Sequence, residues 1–276
     1  AAITRDEVQA YHDQWWRPDN ATLIITGGMD AEAAFAFAQS AFGAWDKPAE
    51  ALPTVTGRAG SGEAPRIVVV DLPGAGQAAI AAGVRAPRRT EADFYPLSVA
   101  NAVIGGGQGG FLFHEIRNLR GLSYGARSSL GSRADHALLT AATQTKNESA
   151  AEVVDLVLTQ FDRLKTEAVT EARVGERETF VTGNYLRALE TTGGLGGVLA
   201  STVQQGLPLS DVAAYPERIA ATDAASLRQA VIDHVGSDKA YVVVVGDASQ
   251  FLDALRADHP QVQVIRAADL NLGSPT

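Results

Sequence analysis

Five histidines, at positions 12, 114, 136, 234 and 259, are the first residues to test for chemistry. A helical zinc site needs two of them three or four positions apart with a carboxylate close by, and no pair here has that spacing. His114-Glu115 begins such a pattern, but Arg117 and Asn118 stand where the second ligand belongs, so no metal ligand is assigned. There is no cysteine, which removes thiol nucleophiles, thiolate zinc sites and disulfides together, and no Ser/His/Asp signature is present. Nothing in this sequence alone runs a hydrolysis. The run Gly105-Gly106-Gly107-Gln108-Gly109-Gly110 offers bare backbone ahead of a helix, a feature that attracts anions. It follows a helix rather than a strand and lacks a Gly-Lys-Ser/Thr ending, so neither the P-loop nor the dinucleotide fingerprint is met. A flexible connector, or a loop that lets another chain come close, is the better reading. Gly105, Gly106, Gly107, Gly109 and Gly110 are therefore candidate substrate-binding positions.

The next segment is more specific: Phe111-Leu112-Phe113-His114-Glu115-Ile116-Arg117-Asn118-Leu119-Arg120-Gly121-Leu122-Ser123-Tyr124. It resembles the pitrilysin/insulinase metallopeptidase family, which includes the mitochondrial processing peptidases. The second domain of that family carries a helix with Leu-Arg after a glycine-rich turn, then Gly-Leu, a small residue and Tyr opening a strand. The resemblance implies that Arg117 and Tyr124, seven positions apart, project into a chamber opposite a zinc ion. It extends to Thr4–Asp30, similar to the family's helix, Tyr-x-Pro-Asn segment and Gly-terminated strand, with Trp16-Arg17-Pro18-Asp19-Asn20 in place. The family's inverted zinc motif, His-x-x-Glu-His with a distant Glu, has no counterpart here. Zinc is thus expected on a preceding domain or on a partner subunit, with no cofactor in this chain. In that setting Arg117 offers a charged planar fork to a substrate carbonyl or carboxylate, and Tyr124 an O–H to a developing oxyanion. The plain structural alternative pairs Arg117 with an acid on its own helix and packs Tyr124 under a sheet. Arg120 reads as a complement to the helix dipole.

The elements that must position these residues follow from pattern. Thr4-Arg5-Asp6-Glu7 is a capping box opening a helix to about Trp16; Pro18-Asp19-Asn20 breaks it; Ala21 to Thr26 is a short apolar strand; Asp30 caps a helix to about Phe42. Lys47 to Pro65 has linker composition, giving a closing segment of an incomplete first domain at 1–46, a linker at 47–65 and a second, substrate-gripping domain at 66–276. In the last, strands are expected at Arg66–Asp71, Gln77–Arg85, Ser123–Leu130, Ala137–Gln144, Tyr241–Val245 and near Val262–Ile265, in adjacent pairs between blocks of helices. That order implies an α+β fold, a mostly antiparallel sheet covered by helices.

One internal similarity bears on what precedes the chain. Thr4, a capped helix, an apolar strand and Gly27 recur as Thr222, a helix, Tyr241–Val245 and Gly246, over 23 and 24 positions respectively. An offset of 218 residues places the counterpart of Arg66 roughly 150 residues ahead of Ala1, so a duplicated fold with a truncated first copy is expected. The 276 residues are 46% apolar and 20% charged, enough for a substantial core. A formal charge of -9 with scattered basic residues gives no footprint for nucleic acid, and no apolar run reaches the ~20 residues of a membrane span. Periplasm and cytoplasm both remain open, with a slight lean to the periplasm. The expected function is the C-terminal half, or the non-zinc subunit of a heterodimer, of a zinc metalloendopeptidase, with peptide and a zinc-bearing homologous domain as partners. The competing expectation is a proteolytically inactive structural subunit of the same fold.

Overall fold

The computed structural model describes residues 3–54 and 67–270. The linker expected at 47–65 lies partly, at 55–65, outside the described residues. Two helices, α1 (Arg5–Trp15) and α2 (Ala31–Phe42), come first; Thr4 and Glu7 form the capping box on α1, and Asp30 caps α2. The expected strand at residues 21–26 is not formed: among the described residues its backbone groups make no backbone–backbone hydrogen bond.

The rest is an α+β layer structure. Strands β1 (Ile67–Asp71), β2 (Ala78–Arg85), β3 (Ala126–Ser132), β4 (Ala137–Thr145), β5 (Tyr241–Gly246) and β6 (Gln263–Arg266) form one sheet in the order β3-β4-β2-β5-β1-β6. Its β3-β4, β4-β2 and β2-β5 pairings are antiparallel, while β5-β1 and β1-β6 are parallel. Period-2 alternation assigns the two faces. Ile80, Ala82 and Val84 on β2, Leu139 and Ala141 on β4, and Val242 and Val244 on β5 are buried beneath helices. Chief among these helices are α3 (Phe94–Gly105), whose central apolar residues are almost all buried, and α4 (Ala150–Thr166). The other face is largely bare: Ala81 and Val243 lie on it and are exposed.

Helices α5 (Glu171–Leu189), α6 (Thr192–Gln204), α7 (Asp211–Ala220), α8 (Ala224–His234) and α9 (Leu252–Asp258) complete the helical layer. Asp223, not Thr222, is the N-cap of α8 and forms a capping box with Ser226; Thr222 is buried just ahead of it. A buried ion network ties α7 to the loop before α3: Arg89 bonds Asp211 at 2.7 Å, and Tyr95 and Arg218 share the other carboxylate oxygen. Among the described residues no helix is long and apolar enough to cross a membrane.

Candidate functional site

Arg117 and Tyr124 come from two consecutive elements, each fixed from behind. Arg117 lies in a π-helical stretch, Phe113–Leu119, that follows one α-helical turn. Such wide turns are rare and concentrate at functional sites. Leu112 and Ile116 anchor it in the core. Glu115 ties its far side to Arg120 at 2.6 Å and to Arg163 at 3.3 Å, and Arg163 lies 4.0 Å from the Phe111 ring centre. Arg120 is thereby turned to Glu115, away from the sheet's bare face.

Gly121, at φ +63°, reverses the chain in the left-handed conformation, and the Leu122 N–H returns to the Ile116 carbonyl at 2.9 Å. The short loop carrying Tyr124 is then pinned to β4 by two buried threonines. Thr145 Oγ1 donates to the Leu122 carbonyl at 2.6 Å; Thr143 Oγ1 lies 2.9 Å from Ser123 Oγ and 3.0 Å from the Gly125 carbonyl oxygen. The ends of the loop are held and its apex projects.

At that apex Tyr124 is 89% exposed, and its hydroxyl makes no hydrogen bond among the described residues. The Arg117 guanidinium packs against the Tyr124 ring, 4.3 Å from its centre, and lies 5.3 Å from the Phe113 ring centre. One of its Nη1 protons goes to the Tyr124 carbonyl oxygen. No carboxylate pairs with Arg117 among the described residues, and Tyr124 does not pack under the sheet. The arginine thus keeps most of its donors and its full charge, while two rings and one backbone bond fix its plane.

Beside this stack the bare sheet face forms a shallow cavity of about 700 Å³. Its floor is Ala79, Ala81, Ala142, Val243 and Val245, and its rim includes Gly107, Gln108, Phe113, Tyr124 and Arg127. Of the candidate glycines, Gly107 therefore stands at the cavity with Tyr124. The other four shape the turn. Gly105, at the end of α3, sits so close to β3 that a β-carbon would lie 2.3 Å from the Ser128 nitrogen, and one on Gly110 would lie 2.8 Å from the Gly105 Cα. Gly106 packs back on Ala102. The carbonyl of Gly109 accepts from Arg173 at 2.6 Å and from Arg177 at 2.8 Å. Arg177 is buried, and burial first, then the like charge of Arg173, lowers its pKa from the usual guanidinium value.

Thr143, Thr145, Arg173 and Arg177 are the positioning residues that sequence reasoning passed over. The threonines did carry a signal, since they fall on the buried parity of β4; two arginines within a polar helix carry none. For a metal, the described residues contain no group of three His, Cys, Asp or Glu side chains able to hold one. His114 is exposed on the π-helical stretch, while His234 and His259 pair singly with Asp93 and Asp155.

Comparison with known proteins supplies the context. A family model described as the peptidase M16 inactive domain matches residues 2–177. A Mycobacterium tuberculosis protein named an uncharacterized zinc protease is 27% identical over 193 residues, which cover 69% of this chain and 43% of the relative. In fold, the chain is similar to a protease from Helicobacter pylori, with TM-score 0.78 and 18% identity over 88% of this chain and 59% of that one. It is also similar to a peptidase M16 inactive domain from Pseudomonas fluorescens, with TM-score 0.76 and 22% identity over 88% of this chain and 57% of that one.

Proposed function

Because the chain belongs to the M16 peptidase family, the pitrilysin/insulinase group, through the domain called inactive, we propose that it is the substrate-gripping, non-zinc part of a zinc metalloendopeptidase. The observation that carries this reading is the Arg117–Tyr124 stack: a half-buried arginine and an exposed tyrosine, without acidic partners among the described residues, held together beside a bare sheet face. Structural arginines are commonly paired with carboxylates, and large exposed aromatic rings at a groove mark contact sites.

In this reading an extended peptide lies over the cavity. The Arg117 fork holds a peptide carbonyl or a terminal carboxylate, and the Tyr124 O–H donates to the oxygen that becomes negative as the peptide carbonyl turns tetrahedral. Gly107 and the glycine turn around it let the substrate backbone approach closely. Zinc is supplied by a homologous domain, on the same polypeptide or on a partner subunit; this chain contributes grip and charge. The chain spans 43% of the length of its relative, so the activity belongs to a larger assembly.

The test uses the full-length gene product and a quenched fluorescent peptide, with zinc content measured on the same sample. Arg117→Ala and Tyr124→Phe are each expected to lower kcat/KM by about tenfold or more without lowering the melting temperature, the scale of one oxyanion donor. Unchanged cleavage in both variants overturns the assignment. Absence of cleavage in the wild type, with zinc bound and with a zinc-bearing relative added, instead favours an inactive structural subunit.

A further inference from the structure

The bare face of the sheet carries positive charge and no negative charge. On β2, β3, β4 and β5, the positions that point away from the helical layer include two arginines, Arg85 and Arg127, and no Asp or Glu. The chain as a whole runs the other way, with 32 acidic residues against 23 basic ones. The depletion of acid is therefore local to this face. Arg85 is already engaged within the chain. Arg127 is not: it is exposed, and among the described residues its side chain makes no hydrogen bond, ion pair or ring contact. Among the described residues that line the cavity, it is the one that carries a charge.

The register sets Arg127 at the end of a row across the sheet. Arg127 faces Ala142, Ala142 faces Ala81, and Ala81 faces Val243. With strands ~4.8 Å apart, the row leads from a guanidinium to a valine over about 14 Å, across two alanines. Side chains that small keep the floor low, so the donors of Arg127 meet what lies in the cavity before they meet a neighbour. The strand beneath is held from behind. Ser128 Oγ donates to the Asn101 carbonyl at 3.2 Å, and Gly105 packs against the Ser128 nitrogen. An apolar floor favours a ligand that covers it, and covering a lone guanidinium is costly unless a counter-charge comes with the cover. On this face the chain does not supply that charge.

We infer that Arg127 is a specificity-determining residue: it pairs with the side-chain carboxylate of an aspartate or glutamate in the bound peptide. The substrates of this site are then peptides with an acidic residue close to the scissile bond. Tyr124 and Arg127 stand three positions apart, at most about 10 Å of extended chain, so the acid falls within about three residues of the carbonyl that Tyr124 meets. The inference rests on the peptide-gripping reading above and adds to it a residue and a substrate class.

Peptide binding to the full-length gene product tests it, read by fluorescence anisotropy with a zinc chelator present to stop cleavage. A single Glu is scanned through a short, otherwise uncharged peptide with an amidated C-terminus, and each peptide is compared with its Gln twin. At one or two positions the Glu peptide is expected to bind about fivefold or more tightly than its twin, the size of one ion pair at a partly sheltered surface, and added salt is expected to shrink the ratio. In Arg127→Gln the ratio is expected to fall to near one, and Arg127→Glu is expected to prefer Lys at the same position. Each ratio is taken within one protein, so a general loss of folding or affinity cancels. A ratio near one at every position in the wild type overturns the proposal, and so does a ratio that Arg127→Gln leaves intact. A preference for a free C-terminal carboxylate over the amide, without one for Glu, assigns the charge to the peptide terminus and overturns the side-chain reading. If neither peptide of any pair binds, this inference and the peptide-gripping reading fall together. Unchanged cleavage in Arg117→Ala and Tyr124→Phe, with the Glu preference present, sinks the role of that pair alone.

Discussion

Gly109→Ala probes the scaffold behind the site through a single contact. The new β-carbon would lie 2.3 Å from Arg177 Nη2 and 3.0 Å from its Cζ. Since non-bonded heavy atoms rest at ~3.5 Å, the guanidinium must withdraw by about 1 Å. That stretches its 2.8 Å bond to the Gly109 carbonyl beyond hydrogen-bonding range. Arg173 still satisfies the carbonyl at 2.6 Å, so no orphaned acceptor is left. The loss is one charge-assisted bond, about 1.5–3 kcal/mol. Gly109 is outside the left-handed region, so alanine adds no backbone strain and returns roughly 0.4–1 kcal/mol through the unfolded chain. The net cost is about 1–2 kcal/mol, a fall in Tm of roughly 2–8 °C for a chain of this size. Urea unfolding gives the cycle that decides the mechanism. Methionine at 177 ends near the position of Nε, so in an Arg177→Met background Gly109→Ala is expected to cost less than ~0.5 kcal/mol, a coupling of about 1 kcal/mol. Additive costs within ~0.3 kcal/mol would show that alanine acts through something other than this guanidinium.

Three further outcomes follow from the same contacts. Thr145→Val removes the donor to the Leu122 carbonyl while preserving shape, and is expected to cost about 1–3 kcal/mol in urea unfolding and to speed amide exchange in 122–125. Asp211→Ala strips the fully buried carboxylate from Arg89, leaving a buried charge unpaired; a loss of about 3–5 kcal/mol is expected, read by the unfolding midpoint. Burial, reinforced by Glu171, raises the pKa of Glu178, so the folded state holds that proton more tightly than the unfolded state. Its penalty is absent below the ordinary carboxylate range, grows as pH rises from there through the raised value, and is constant above it. The difference in unfolding midpoint between Glu178→Gln and the wild type should therefore widen, in the variant's favour, from pH ~4 to ~7.

Much of this layout was legible in the sequence because the signals are local. Thr4 and Glu7 announce α1, the alternation of Ala78 to Arg85 announces β2, and both were located within a few residues. Residues 21–26 have strand composition and, among the described residues, no ladder, since composition reports preference while pairing needs neighbours. The internal repeat was counted from Thr222, whereas Asp223 is the N-cap of α8. What could not be read is long-range. The bond from Arg177 to Gly109 joins residues 68 positions apart, and that from Thr145 to Leu122 joins residues 23 apart. The glycine run looked like flexibility, yet Gly105 and Gly110 are buried in close backbone contacts; glycine there serves proximity.

The absence of an acid beside Arg117 among the described residues is the feature that organises the proposed reading. An arginine neutralised by a carboxylate must break that pair before it can hold a peptide carbonyl, and the exchange returns little net free energy. Here two aromatic rings and the Tyr124 carbonyl fix the guanidinium plane, and none of them cancels its charge. The loop beneath is held by Thr143 and Thr145, and the preceding turn by Arg173 and Arg177, so little conformational freedom remains to be lost on binding. Such a site is pre-organised but open: with Tyr124 in solvent, its donors are screened by water. Covering the bare sheet face with a second domain would expel that water and strengthen the same charges without moving them. On the proposed reading, rigid donors on this chain and a closing partner opposite are two requirements of one device, and the donors alone would give grip without catalysis.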